Sequence, residues 1–366
     1  MRYYLIAGEA SGDLYGGLLM QKLKEKDPKA EFRFWGGPHM KRESSGQLKS
    51  IKETSFMGFL EVAKNAFTIK KFFDFAKYSI SEFNPDLVIF IDYPGFNLRM
   101  CRWAKSKGFK TAYYISPQLW AWKENRHKIL RDYVDLFFVI LPFERDFYRN
   151  LDTDCIYVGH PLKEVISHDD KKPYPESIST IGLFPGSRKQ EIQQHLPTML
   201  EYAMQKKSYK FIIAGVSHIK KSYYLSQIKK YAAHVDIVYD KSHQVMQQID
   251  FAIASSGTAT LELALFNVPQ IVIYKTSQVS FLIAKRLVKT NYISLVNLVA
   301  QKEVVPELLQ GAFNMLALEV EMEKLHSLEA RQPIYTAYTR ISEELGPGSS
   351  SNMVADKIMQ FLDPKA

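Results

Sequence analysis

The stretch Asp250–Phe266, DFAIASSGTATLELALF, decides how the chain is read. An apolar run, DFAIAS, meets a turn of small residues, Ser256-Gly257-Thr258, and continues as ATLELALF, which has helical apolar spacing. A strand that feeds a helix through small residues leaves backbone N–H groups unpaired at the helix start, where the helix dipole is also positive. Such a start suits a phosphate or diphosphate. Glu262 follows Thr258 by one turn, so both can face one ligand. The plain alternative is an ordinary βα turn with Thr258 as its cap.

The same strand–turn–helix grammar recurs along the chain. RYYLIAG, FRFWGG, DLVIFID, KTAYYIS and DLFFVIL are apolar or aromatic runs in the first half, with helical patterns between them. STIGLF, KFIIAG, VDIVYD, DFAIAS and QIVIYK repeat the series in the second. Continuous apolar strands separated by helices indicate parallel sheets covered on both faces. The stretch VGHPLKEVISHDDKKPYPESIS, from Val158, is polar and carries three prolines, as a linker would. The fold expected is therefore α/β, two Rossmann-like doubly wound domains facing across a cleft. Boundaries are expected at 1–165 and 166–345, followed by an amphipathic C-terminal helix in 346–366 that packs on other parts of the chain, with a crossing back to the first domain as one option.

Composition narrows the class. A chain of 366 residues exceeds one compact core, and 46% hydrophobic with 24% charged residues is ordinary for a globular protein. Cys101 and Cys155 form no framework and no CxxC or Cys/His cluster exists, so no metal is expected and the compartment is reducing. The first residues lack signal-peptide anatomy, and the strongest apolar run, Leu136–Phe143, is far below the about 18 residues that span a bilayer. A cytoplasmic location is expected. The net charge of +9 implies an anionic partner, and nothing in the sequence singles out nucleic acid.

Three further junctions carry chemistry. At the first, Gly8-Glu9-Ala10-Ser11-Gly12-Asp13, the glycines permit a tight turn and Ser11 and Asp13 can cap the next helix, which leaves Glu9 unexplained by capping. GxGxxG and the P-loop pattern are both missing, so neither a nicotinamide nor a P-loop nucleotide is favoured. Asp92 ends DLVIFID ahead of Tyr93-Pro94-Gly95-Phe96-Asn97. There, partial desolvation raises a carboxyl pKa and fits it to take a proton from an alcohol, unless Asp92 merely holds an Asx turn. In GLFPGSRKQE, Gly186, Ser187 and Arg188 form a second anion-seeking turn, with Arg188 as a guanidinium fork for phosphate. The wide loop YYISPQLWAWKENR offers Trp120 and Trp122 to line a groove, or simply to pack, with Lys123 and Arg126 at its end. Met57–Phe83 mixes Phe67, Phe72, Phe73 and Phe75 with Lys70, Lys71 and Lys77, which reads either as a membrane-surface helix or as a core-facing aromatic stripe.

Taken together, these pieces resemble the lipid-A-disaccharide synthase family. The ordered matches are AGEASGD, MGFLEV, IDYPGFN, YISPQLWAW, LPFERDFY, VGHPL, FPGSR, ASSGTATLELAL with VPQIVIYK, and AKRLVKTNYISLVNL followed by PELLQ. Gly95 departs from the family, which often has an acid there, and Phe184 replaces a common Leu. The resemblance implies a GT-B glycosyltransferase, inverting and free of metal and cofactor. It would move 2,3-diacylglucosamine from its UDP ester to 2,3-diacylglucosamine 1-phosphate in lipid A biosynthesis. It implies Asp92 as general base, with Glu9 and Asp13 as the next candidates, and Ser11, Gly12, Asn97, Trp120, Trp122 and Arg126 around the acceptor in the first domain. The second domain would hold UDP through Gly186, Ser187, Arg188, Ser256, Gly257, Thr258, Glu262 (on the ribose), Asn297 and Gln310. Phe67, Lys70, Lys71, Phe72 and Phe73 would dock the enzyme peripherally on the anionic inner membrane; a homodimer is left open. The rival readings are a UDP-sugar epimerase of the same fold and a non-catalytic nucleotide-sugar or lipid-binding protein.

Overall fold

In the computed structural model, which describes residues 1–54, 66–278, 281 and 290–363, ten apolar runs long enough for a strand and too short for a helix become β-strands, and three short edge segments bring the number among the described residues to thirteen. The chain divides into two compact units, Met1–Pro161 with Leu345–Ala366 and Leu162–Glu344.

The first unit holds a seven-stranded sheet of order β3-β2-β1-β4-β5-β6-β7. Its strands are β1 (Arg2–Ala7), β2 (Glu31–Gly36), β3 (Gln47–Ser50), β4 (Leu87–Ile91), β5 (Thr111–Tyr114), β6 (Leu136–Val139) and β7 (Ile156–Tyr157). Every pairing is parallel, with Leu5 opposite Phe34 on one side and Ile89 on the other. The second unit holds a six-stranded parallel sheet of order β10-β9-β8-β11-β12-β13. These strands are β8 (Thr180–Phe184), β9 (Lys210–Gly215), β10 (Val235–Tyr239), β11 (Phe251–Ser255), β12 (Gln270–Tyr274) and β13 (Glu307–Leu309). Central strands such as β4 (LVIFI) and β11 (FAIAS) are buried along their whole length, as helices on both faces require.

In each sheet the chain builds outward from one central strand and then returns to build the other way. The reversal falls between β1 and β4 in the first sheet and between β8 and β11 in the second. Helices leaving adjacent strands there diverge to opposite faces, so the crevice at the carboxyl ends of those strands stays open for ligand.

The final helix, Ser350–Leu362, belongs to the first unit, where it packs on the Ala10–Lys26 helix. Tyr114 and Ser350 hydroxyls pair at 3.0 Å, and Lys26 and Asp356 at 2.6 Å. Where the outgoing and returning chain pass, the His160 N–H donates to the Leu345 carbonyl at 2.8 Å. Gly159 and Gly346, both with positive φ, lie against each other there; a Cβ on Gly159 would stand 3.0 Å from the Leu345 oxygen.

The Ala66–Phe83 helix answers the question left by its mixture of Phe and Lys. Phe72 and Phe75 lie 6.0 and 6.1 Å from Trp35 and Phe73 stacks on Phe96 at 4.4 Å, so the three rings pack on the core of the first unit. Phe72 and Phe73 are thus partly buried, with Trp35 and Phe96 as apolar partners inside the fold. Lys70 and Lys71 remain exposed. The side chain of Phe67 and residues 57–65 lie outside the described residues. Among the described residues no helix is long and apolar enough to cross a membrane.

Candidate active site

Two clusters form, one at each reversal. In the first unit the turn after β1 and the turn after β4 are neighbours. Asp92 and Tyr93 both take left-handed backbone angles, φ 45° and 52°, a conformation that costs non-glycine residues on the order of 1–2 kcal/mol each. The turn is held from below. Asn97, fully buried, donates its side-chain N–H to the carbonyls of Ile6, Ile91 and Asp92, and the Tyr113 hydroxyl donates to the Asp92 carbonyl at 2.7 Å. The Tyr93 ring lies flat over Gly8, where a Cβ would meet it at 2.4 Å, so only glycine lets the two turns close. Gly12, also buried, brings the helix start to within contact of Ala7.

This closure sets the electrostatics. Burial first, and then the nearby Glu9 carboxylate, push Asp92 up to about 7. Asp92 keeps a partly exposed side chain and Glu9 an open one, so both acids are accessible. Ser11 is partly exposed on the same turn.

Asp13, expected among the acids of the site, does something else. Its carboxylate is 1% exposed and accepts from the backbone N–H groups of Gly37 (2.6 Å), His39 (3.0 Å) and Met40 (3.0 Å). It caps the Pro38–Glu43 helix across the chain, because a short helix leaves its first N–H groups without partners. Replacing Asp13 with Ala should cost about 3 kcal/mol of stability by orphaning those donors, while leaving the pH dependence of the reaction in place. Denaturant unfolding and a pH–rate profile check both halves.

The loop after β5 is partly an anchor. Trp120 is 8% exposed, packs edge-on against Phe143 at 5.2 Å and donates its indole N–H to Glu144 at 3.3 Å. It is a buried packing residue and not a groove wall. Glu144 also accepts from the N–H groups of Ile140 and Leu141, and burial pushes it up to about 7. Trp122 and Arg126 stay partly exposed, and the Lys123 ammonium lies 4.2 Å from the Trp122 ring.

In the second unit the turns after β8 and β11 are neighbours. After β11, Ser256 spends its N–H on the Ile273 carbonyl and its hydroxyl on the Ile293 carbonyl. The N–H groups of Gly257, Thr258 and Ala259 have no partner among the described residues, and a Cβ on Gly257 would meet nothing within 4 Å. Among the described residues, the positive end of the Thr258–Leu265 helix therefore keeps unpaired N–H groups.

The turn after β8 behaves differently. Both the Ser187 and Arg188 N–H groups go to Glu191, at 3.0 and 3.1 Å. Gly186, at φ 113°, lies too close to Glu191 for any side chain. The expectation of a second backbone anion cradle is corrected: an internal carboxylate already fills it, and the Arg188 guanidinium lies exposed 3.9 Å from Glu191. His195 ties this turn to the end of β12, pairing with the carbonyl of Pro185 and accepting the N–H of Lys275.

Glu262 faces His243 at 3.3 Å, and that hydrogen bond holds the imidazole above its ordinary value. His243 was not singled out in the sequence; its only signal is its place just before DFAIAS. Gln310 accepts from the Thr276 N–H with its oxygen, while its buried side-chain nitrogen has no partner among the described residues. Asn297 is corrected. It is fully buried, donates to the Val305 carbonyl and Glu307, and accepts from the N–H groups of Val304 and Val305. With every valence used inside the protein, it has none for a nucleotide.

Comparison with known proteins places this geometry. A lipid-A-disaccharide synthase of Trichlorobacter lovleyi is 35% identical over 99% of this chain and 98% of its own length. One from Syntrophus aciditrophicus is 36% identical over 94% of each. Among solved structures, the UDP-GlcNAc 2-epimerase of Neisseria meningitidis bound to UDP-GlcNAc superposes with a TM-score of 0.65 at 11% identity, covering 98% of this chain and all of that one. The glycotransferase of kitacinnamycin gives 0.66 at 12% identity, covering 99% of both. At such identities the structures share the GT-B fold alone, so likeness to an epimerase does not support epimerase activity. A sequence model described as lipid-A-disaccharide synthetase matches residues 3–357. The chain belongs to the lipid-A-disaccharide synthetase family of glycosyltransferases.

Proposed function

We propose that the protein transfers 2,3-diacylglucosamine from UDP-2,3-diacylglucosamine to 2,3-diacylglucosamine 1-phosphate, giving the β(1→6) disaccharide 1-phosphate and UDP, with inversion and without a metal. The observation that carries this reading is Asp92, a carboxyl at the β1/β4 reversal raised to about 7, with an open crevice before it. A base of that strength suits removal of a proton from a sugar hydroxyl at neutral pH. The hydroxyl oxygen then bonds to the anomeric carbon from the face opposite the diphosphate, and the bond to the diphosphate breaks with its electron pair leaving on UDP. Glu9 tunes Asp92 by its charge.

In this reading the departing diphosphate is met by the Gly257–Ala259 N–H groups and the Arg188 guanidinium, donors that stabilise the negative charge developing on it. Glu262, steadied by His243, takes the ribose hydroxyls, and the spare N–H of Gln310 takes an acceptor atom of the nucleotide. The net charge of +9 and the exposed Lys70 and Lys71 favour peripheral contact with an anionic inner-membrane surface, where acylated substrates reside.

The test is UDP release by purified protein given both acylated substrates in detergent; no UDP would sink the reading. In the same assay Arg188→Ala should lower kcat by about 100-fold, the loss typical of removing one preorganised charge donor. An unchanged kcat would remove Arg188 from the leaving-group site.

A further inference from the structure

Two arginines on elements of the first unit that pack beside the Asp92 turn make no ion pair with a described residue. Arg99 lies on the Pro94–Ser106 helix that begins just after Asp92, and Arg126 ends the short turn Glu124–Arg126 that leads into the His127–Tyr133 helix. The two helices pack together, with the Arg102 guanidinium 5.3 Å from the Tyr133 ring, and Arg99 lies one turn closer than Arg102 to the carboxyl ends of the strands. Neither Arg99 nor Arg126 makes an ion pair with a described residue, whereas Arg33 and Arg131 do.

The two charges also feel each other: Arg126 is held below its ordinary value by burial and then by Arg99, and Lys123 by burial and then by Arg126. The Arg126 charge also reaches the Tyr113 hydroxyl, which is bonded to the Asp92 carbonyl. On its other side Arg99 closes a shallow groove of about 400 Å³. Ile69, Phe73 and Trp103 form its apolar floor, Lys70 and Lys77 add positive charge, and Asp74 is its one acid. The Arg99 guanidinium stands 5.8 Å from the Phe73 ring.

We propose that Arg99 and Arg126 clamp the phosphate monoester of the acceptor, with an acyl chain laid along Ile69, Phe73 and Trp103. Arg99, Lys70 and Lys77 share only the Asp74 carboxylate, so an added anion is favoured among them, and two guanidinium forks match the oxygens of a phosphate carrying nearly two charges. The apolar floor beginning at Arg99 selects a phosphate attached to a lipid over a free sugar phosphate. The clamp thus hangs the acceptor beside Asp92 by the end remote from its reacting hydroxyl. This rests on the reaction proposed above.

The experiment compares wild type, Arg99→Gln and Arg126→Gln in detergent, with 2,3-diacylglucosamine 1-phosphate and with 2,3-diacylglucosamine lacking the phosphate. Each substitution is expected to raise KM for the phosphorylated acceptor about 10- to 100-fold, the effect of losing a hydrogen bond to a charged group. KM for the donor should be unchanged, KM for the phosphate-free acceptor should change far less than KM for the phosphorylated one, and Arg126→Lys should restore part of the loss. Equal impairment on both acceptors would show a structural effect and overturn the clamp, as would no impairment on either. A separate arm measures co-sedimentation of Arg99→Gln/Arg126→Gln with phosphatidylglycerol vesicles. Lost vesicle binding with an unchanged acceptor KM would assign the arginines to bilayer headgroups and overturn the proposal as well. Absence of transfer by wild type on either acceptor would instead refute the reaction and leave the anion site to be read from phosphate binding alone.

Discussion

Asp92→Asn should lower kcat by about 10²–10⁴-fold, the range for loss of a general base, with binding of UDP retained. The amide keeps the shape of the turn, whose hold comes from Asn97 and Tyr113 bonding to the Asp92 main chain and not to its carboxyl. The loss is therefore chemical. Wild-type kcat/KM should carry the signature of the same group. Asp92 acts only when deprotonated, so activity is low in acid, rises through pH about 7 and levels off above it. In the variant that limb should vanish from the residual rate. Glu9→Gln removes the like charge that adds to the raised value, so it should move the limb towards lower pH. UDP release across a pH series measures all three enzymes. A wild-type limb that survives in Asp92→Asn would transfer the role of base to another group.

Asn297→Ala should destabilise the second unit by about 3–5 kcal/mol, since one substitution orphans two N–H donors, a carbonyl and a share of Glu307. For a unit of this size that corresponds to a transition about 10 °C lower, visible by calorimetry as a shift of one transition against the other. The effect should reach the ligand. Glu307 accepts from the N–H groups of Ile293 and Ser294, and the Ile293 carbonyl receives the Ser256 hydroxyl. Loosening Asn297 thus loosens the turn at Ser256-Gly257-Thr258, so KM for the donor should rise more than kcat falls. A variant as stable as wild type with a raised KM for UDP-sugar would return Asn297 to direct nucleotide contact.

These two residues mark how far the sequence could be read. Asp92 was legible because a carboxylate directly after five apolar residues of a strand has few places to be except the mouth of a parallel sheet. The ten long apolar runs were legible for the same reason. The edge strands β3, β7 and β13 were not: they have two to four residues, are only partly buried, and owe their place to a neighbour already in the sheet. Asn297, Asp13 and Glu191 share another cause. Each is a polar residue in a ligand-rich motif whose hydrogen bonds go to the protein's own backbone. For Glu191 the partners are the local N–H groups of Ser187 and Arg188, a capping arrangement the sequence reading overlooked, whereas for Asn297 and Asp13 the folded chain brings them close. Capping by a residue far away in sequence, as Asp13 caps the helix at Pro38, leaves no local pattern. The packing of Phe72 and Phe73 was not legible either, since Trp35 and Phe96 decide which way those rings turn. Arg99 was passed over because the lack of a counter-ion is a property of three dimensions.

The first unit is interrupted: its last helix is encoded after the whole of the second. During synthesis, residues 162–344 leave the ribosome before Ser350–Leu362 exists, so the face of the Ala10–Lys26 helix that it covers waits bare through that interval. Tyr3 meets Met359 across 356 residues of chain, and Tyr114 meets Ser350 across 236. The second unit has all its strands in one stretch and can close first. A nascent chain can therefore complete the later-made unit while the earlier-made one still waits for its last helix.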